Sequence, residues 1–402
     1  MKPLETTLME QVKKDHEYIV QLRRHFHKYP ELPKEEFETA DKIEEELHLL
    51  KIQTTRVDKT GVYAEIHGDL KGDKVIVLRA DIDALPVKEE HVCEYQSTKD
   101  GVMHACGHDA HIAGLIGAAR ILAKNKDKFG GTVRLIFQHA EEIGHGGRVF
   151  VNQGYLDGAD RTFGIHMGSN ISGGSVVVMK GPNNASVDWF KVHVHGKSAH
   201  VSTPERGVDA LYIASQIVVS LQSVITRLTS PMAPVLIGIG KMSAGTAYNV
   251  VADSAELEGT LRALTPEVRK KTKQEIEKIC TLTAQSYGGT ADIEWKDFTS
   301  PLINDEVPTE EVQAVCKRIF KEKSLITERE PSLAGDDFAE FILKVSGCYA
   351  YVGSGNADIP ETTVAHHNAC FDIDEDSLLT SVSLYTVYAV EYLNGDIYTE
   401  NK

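Results

Sequence analysis

Apolar positions along the chain follow two periods, and the switches between them set the expected architecture. From Leu4 to Lys28 the spacing is helical, with Ile19, Leu22 and Phe26 sharing a face. Tyr29-Pro30-Glu31-Leu32-Pro33 stops that helix, because proline cannot continue it. A second helix is predicted over about Lys34 to Leu50, and its acidic first turn suits the N-terminal dipole. Gly61 to His67 then alternates, with Val62, Ala64 and Ile66 on one side, as a half-exposed strand does. Lys74 to Ala80 carries the unbroken run Val75-Ile76-Val77-Leu78, the pattern of a strand covered on both faces. A helix over about Ala110 to Lys124 follows, then strands at Thr132 to Phe137 and near Arg161 to Ile165.

The pattern changes near Ala185. Helices over about Gly207 to Leu228 and Pro266 to Tyr287 alternate with strand-like segments at Val187–His195, Val235–Lys241, Ala255–Arg262 and Thr290–Trp295. That β-α-β-β-α-β order predicts a ferredoxin-like α+β domain over residues 185–297. It would be inserted into an α/β domain made of residues 1–184 and 298–402. Beyond Pro301 the α/β pattern resumes with helices near Pro308–Lys321, Asp336–Lys344 and Glu375–Leu393 and a strand at Cys348–Val352.

Composition narrows the function classes. A chain of 402 residues suits two domains. A formal charge of −16 argues against nucleic-acid binding and against an anionic membrane surface. The first ten residues lack the apolar core of a signal peptide, and no run of about 18 apolar residues predicts a membrane span. Six scattered cysteines predict reduced thiols and a cytoplasmic protein.

The chemistry collects where strands end. The buried run at Val75–Leu78 leads into Asp81-Ile82-Asp83, and Thr132–Phe137 leads into Gln138-His139-Ala140-Glu141-Glu142. The strand near Arg161 is expected to finish at His166. Open α/β sheets place their sites at such strand ends. The densest stretch, Met103 to His111, holds His104, Cys106, His108, Asp109 and His111. With Glu141, Glu142, His166 and His367, it offers enough ligands for a two-metal site. A mix of thiolate, imidazole and carboxylate suits Zn, Co, Ni or Mn. At a strand end one of two adjacent glutamates can bind metal while the other stays free as a general base.

These residues resemble the M20 family of metallopeptidases, in its amidohydrolase branch. The resemblance is carried by Arg23-Arg24 with His27, Pro30-Glu31-Leu32, Arg79-Ala80-Asp81-Ile82-Asp83-Ala84-Leu85-Pro86 and His104-Ala105-Cys106-Gly107-His108-Asp109. It continues through Ala140-Glu141-Glu142, His166, Gly196-Lys197-Ser198-Ala199-His200, Asn249-Val250-Val251, Gly259-Thr260-Leu261-Arg262, Asp336-Asp337-Phe338 and His367 before Phe371-Asp372. It implies an aminopeptidase-type catalytic α/β domain and an inserted lid or dimerisation domain, hence a homodimer. It implies two divalent metal ions held by Cys106, His108, Glu142, His166 and His367. Glu141 would be the general base toward metal-activated water, and Asp83 would support the ligands. His200 would stabilise the oxyanion, while Asn249 and Arg262 would contact the substrate, Arg262 by gripping a carboxylate.

The activity so implied is hydrolysis of N-acyl amino acids to a carboxylic acid and an amino acid. A dipeptidase or aminopeptidase on the same scaffold shares every catalytic residue. A catalytically silent metal-binding dimeric scaffold is the reading from another class, and the Glu141-Glu142 pair weighs against it. Five residues depart from the family pattern: His139 where Pro is usual, Ile143 where Gly is usual, an additional His145, Glu205 at a common His position, and Asp336 for the usual Glu. His366 stands beside the implied ligand His367.

Overall fold

The computed structural model describes residues 1–321 and 324–397. Among these residues the chain forms two compact units. One comprises Met1–Gly181, Asn304–Glu330 and the part from Asp337 onward; the other comprises Pro182–Ile303 with Pro331–Asp336.

The first unit opens with α1 (Pro3–Lys14) and α2 (His16–Lys28), not one helix. The break falls at Asp15, whose carboxylate accepts hydrogen bonds from Arg120 and Lys124. Those partners lie 105 and 109 residues away in sequence, so local periodicity could not reveal the break. Next come α3 (Phe37–Leu49), β1 (Thr54–Val57), β2 (Gly61–His67) and β3 (Leu70–Asp81). Then follow α4 (His108–Lys124), β4 (Gly130–Gln138), α5 (Gly146–Asn152), β5 (Arg161–Ser172) and β6 (Val176–Val177).

The second unit contains β7 (Gly181–Asn184), β8 (Val187–His195), α6 (Ala210–Ser223), β9 (Val235–Ala244), β10 (Ser254–Ala263), α7 (Pro266–Ser286), β11 (Thr290–Thr299) and β12 (Leu302–Asn304). Its four-stranded sheet has the order β11-β8-β10-β9 and is antiparallel throughout. With two helices in the β-α-β-β-α-β sequence, this is the ferredoxin-like arrangement. The core joins Phe190, Val192 and Val194 of β8 to Ile213, Ile217 and Leu221 of α6 and Ile276, Cys280 and Ala284 of α7. Helix α6 starts where Asp209 accepts from the N–H groups of Leu211 and Tyr212, a side-chain N-cap. Among the described residues, one helical stretch, Ala210–Leu228, is long and apolar enough to cross a membrane; here its apolar face builds this core.

The chain returns to the first unit with α8 (Glu306–Ile319), β13 (Leu325–Ile326), α9 (Phe338–Lys344), β14 (Gly347–Gly355) and α10 (Ser377–Asn394). The large sheet has the order β1-β2-β4-β3-β5-β14-β6-β13. Its centre, β4-β3-β5-β14, is parallel. Helices α4 and α10 are buried along nearly their whole lengths, which explains why β3 and β4 lack alternation. One expectation fails here. His166 does not end its strand; β5 continues to Ser172, because pairing with β14 carries on to Ser172↔Gly355. All six cysteines are free, as their spacing predicts.

Candidate metal centre

Parallel β3, β4 and β5 deliver their residues to one rim of the large sheet. Cys106 reaches it from the loop before α4. Gly107 occupies the left-handed region at φ 87°, where a side chain would be strained, and caps α4 so that His108 is its first residue. Two triads of ligand atoms form there: Cys106 with His108 and His166, and Cys106 with Glu142 and His367. Within each, the ligand atoms lie within 4.8 Å of one another, and the Cys106 sulfur belongs to both.

The imidazoles are oriented from behind. His108 Nδ1 lies 2.8 Å from the carbonyl oxygen of Asp83, and His166 Nδ1 lies 2.7 Å from that of Met167. Each Nδ1 must therefore donate, which leaves Nε2 as the atom that would face a metal. His166 Nε2 stands 3.5 Å from Cys106 Sγ. His108 Nε2 stands 3.8 Å from Glu142 Oε1, which is 3.4 Å from His367 Nε2. The buried Nε2 of His108 and Oε1 of Glu142 have no hydrogen-bond partner among the described residues. Buried polar atoms left in this state are costly unless something binds them.

Electrostatics call for a cation. Burial works to lower the His108 imidazole, but Asp81, Asp83 and Glu142 overcome it and push it up to about 10. Burial, with Glu142, Glu141 and Asp81, holds the Cys106 thiol well above its ordinary range. Burial and the neighbouring His111 and His366 keep His166 well below the imidazole range, in the neutral form that ligates. A divalent ion relieves all three at once, replacing a proton on His108 and Cys106 and capping the lone pair of His166. The residues fit a soft-to-borderline divalent metal.

Asp83 acts by an unexpected route. Its main-chain oxygen holds His108. Its carboxylate accepts from the backbone N–H groups of Glu141 at 3.0 Å and Glu142 at 2.9 Å. This clamps a strained turn in which Ala140 has φ 53°. The His108 ring and the Glu141-Glu142 turn are thus pinned by one residue. Glu141 also receives the Asp337 N–H at Oε1, 3.4 Å away. Asp337 is itself fixed by Arg79, Gln138 and the Gly147 N–H.

Of the remaining residues in the Met103–His111 stretch, His111 is spent: Nδ1 meets Asp81 at 2.5 Å, and Nε2 accepts the Met167 N–H at 2.9 Å. Asp109 accepts from Arg23 and His27 in the interior. His104 is buried, and burial lowers it to about 3. His366 packs its ring against His166 and Phe371, whereas His367 faces Glu142 from a left-handed backbone at φ 64°.

Sequence reasoning gave no role to Arg23. From α2 it donates to Asp109 at the start of α4 and to Asp372 in the loop after His367, both at 2.7 Å. Deleting one partner of such a buried ion pair costs about 3–5 kcal/mol. The Arg23-Arg24 motif was visible, but its partners, 86 and 349 residues distant, were not.

In the second unit, His200 and Asn249 lie on adjoining exposed segments, joined by the bond from the Val201 N–H to the Asn249 carbonyl at 3.2 Å. His200 Nδ1 accepts the Ser202 N–H at 3.1 Å, which places the ring proton on Nε2. Arg262, half-buried on β10, has Nε 3.2 Å from Thr260 Oγ1 and no carboxylate within ion-pair distance among the described residues. Burial lowers its guanidinium from the ordinary range, with Asp188 partly opposing.

A sheet rim that gathers sulfur, imidazole and carboxylate, with a second glutamate adjoining, has the chemistry of a metal-dependent hydrolase. The model of peptidase family M20/M25/M40 matches residues 77–391, and the chain belongs to that family. It is 39% identical over 364 residues to the N-acetyl-L-cysteine deacetylase of Bacillus subtilis, covering 90% of this chain and 85% of the relative. It is 36% identical over 397 residues to thermostable carboxypeptidase 1 of Saccharolobus solfataricus, covering 96% and 99%. A solved Bacillus subtilis structure, a dinuclear metal-binding peptidase of the M20 family, superposes with a TM-score of 0.83 at 34% identity, covering 95% of this chain and 99% of that one.

Proposed function

We propose that the chain hydrolyses the amide bond of N-acyl amino acids, with two divalent metal ions held by Cys106, His108, Glu142, His166 and His367. The observation that carries this reading is the pair of ligand triads sharing Cys106, with Glu141 beside them on the turn clamped by Asp83. When bound, the ions would polarise the carbonyl and acidify water. Glu141 accepts the proton of the attacking water and passes it to the leaving nitrogen. The His200 Nε2–H is the donor assigned to the developing oxyanion. Arg262, without a carboxylate partner among the described residues, is assigned the substrate's α-carboxylate and Asn249 an adjoining polar contact.

The kinship supports the same substrate class. A deacetylase of N-acetyl-L-cysteine and a carboxypeptidase both cut an amide whose nitrogen belongs to an amino acid with a free carboxylate. The metal is Zn, Mn, Co or Ni, and the inserted unit is assigned to homodimerisation, in keeping with its exposed Leu211, Val219, Leu236 and Met242.

The test is a hydrolysis panel on stripped and metal-reloaded enzyme, comparing acetyl, benzoyl and longer acyl amino acids with free dipeptides. Acyl amino acids are expected to turn over only after reloading, and their α-carboxyl esters are expected to show a raised KM. Preference for substrates with a free α-amine would instead establish the dipeptidase or aminopeptidase reading.

A further inference from the structure

Two histidines that this reaction does not use, His139 and His145, meet a third group away from the ligand triads. His139 follows the end of β4, and His145 precedes α5. Between them lies the tight turn that carries Glu141 and Glu142, closed by the bond from the Gly144 N–H to the Glu141 carbonyl at 2.7 Å. Both rings present Nε2 to one atom, Oδ2 of Asp58, at 3.3 Å from His139 and 3.1 Å from His145. Asp58 lies in the turn joining β1 to β2. All three ligand atoms lie within 4.8 Å of one another.

The two distances to Asp58 lie at or just below the ligand–ligand spacing of a metal's coordination shell. A tetrahedral ion with bonds of about 2.0–2.2 Å sets its ligands roughly 3.3–3.6 Å apart. The two rings are inclined at 74°, so their lone pairs can converge from different directions. The His139 ring is fully buried and held in place: a Cβ on Gly61 would come within 2.7 Å of its Nδ1, and Phe150 lies beside it. Asp58 is 41% and His145 35% exposed, so one side of the triad is open to an incoming ion and its water.

We propose that Asp58, His139 and His145 form an additional divalent-cation site, separate from the Cys106 centre, which ties both ends of the Glu141-Glu142 turn to the β1–β2 turn. Two imidazoles and a carboxylate with an open position select Zn, Ni, Co or Cu(II) over Mg or Ca. An ion here would stiffen the loop that carries the base without touching substrate.

The whole enzyme is stripped with chelator, reloaded with Zn²⁺, freed of loose metal and counted by elemental analysis, alongside His145→Ala and Asp58→Asn. The first variant removes an exposed ligand; the second keeps the side chain's shape and its hydrogen-bonding oxygen but removes the charge. Loss of one ion per chain relative to the unmodified enzyme, in either variant, supports the site. Equal counts in all three proteins overturn it. Comparison between variants makes the result independent of how many ions the Cys106 centre holds.

Discussion

Glu141→Gln is expected to keep its full complement of metal and lose hydrolysis. The substitution leaves Oε1 able to accept the Asp337 N–H and leaves the Glu141 main-chain N–H on Asp83. The turn and its neighbour Glu142 should therefore hold their places. What disappears is the lone pair that takes a proton from water. General bases contribute about 10²–10⁴-fold, so kcat should fall by about that factor with metal content unchanged. Elemental analysis and steady-state kinetics on the same preparation check both halves. Unimpaired turnover would remove Glu141 from the chemistry.

Cys106→Ala should act in the opposite order, on metal first. Its sulfur is the one atom common to the two ligand triads. Alanine leaves His108 with His166 on one side and Glu142 with His367 on the other. The variant should bind fewer ions than the unmodified chain, and its activity should fall with them. The fold should survive, because Cys106 sits in a loop and only its side chain is shortened. Unchanged metal stoichiometry with a native melting profile would exclude Cys106 as a ligand.

Legibility differed with the range of the interactions. The elements of the second unit are locally legible where they carry their own period: β8, β10 and β11 alternate, and α6 and α7 are amphipathic. The rim residues of β3 could be read because an unbroken apolar run that stops on carboxylates is a local signal. The break at Asp15 could not, since a distant ion pair sets it. The full length of β5 was hidden too: its last residues, Met167 to Ser172, are extended through pairing with β14, a partner more than 180 residues away.

At the site, candidate ligands were easier to see than the contacts that hold them. Cys106 and His108 announce themselves by spacing. The role of Asp83 does not, because half of it is played by a main-chain oxygen that any residue could supply. His111 looked as capable of ligation as His108 in the sequence; only the tertiary bonds to Asp81 and Met167 show both of its nitrogens engaged. The distinction between His366 and His367 rests likewise on backbone geometry, with φ 64° turning His367 toward Glu142.

The most direct test of the central claim is anomalous diffraction from crystals of Zn²⁺-loaded protein, recorded at the zinc edge. Two peaks are expected at the sheet rim, one against His108 and His166 and one against Glu142 and His367, both adjoining the Cys106 sulfur. A rim without zinc density in fully loaded crystals, or density that leaves Cys106 uncoordinated, would contradict the account.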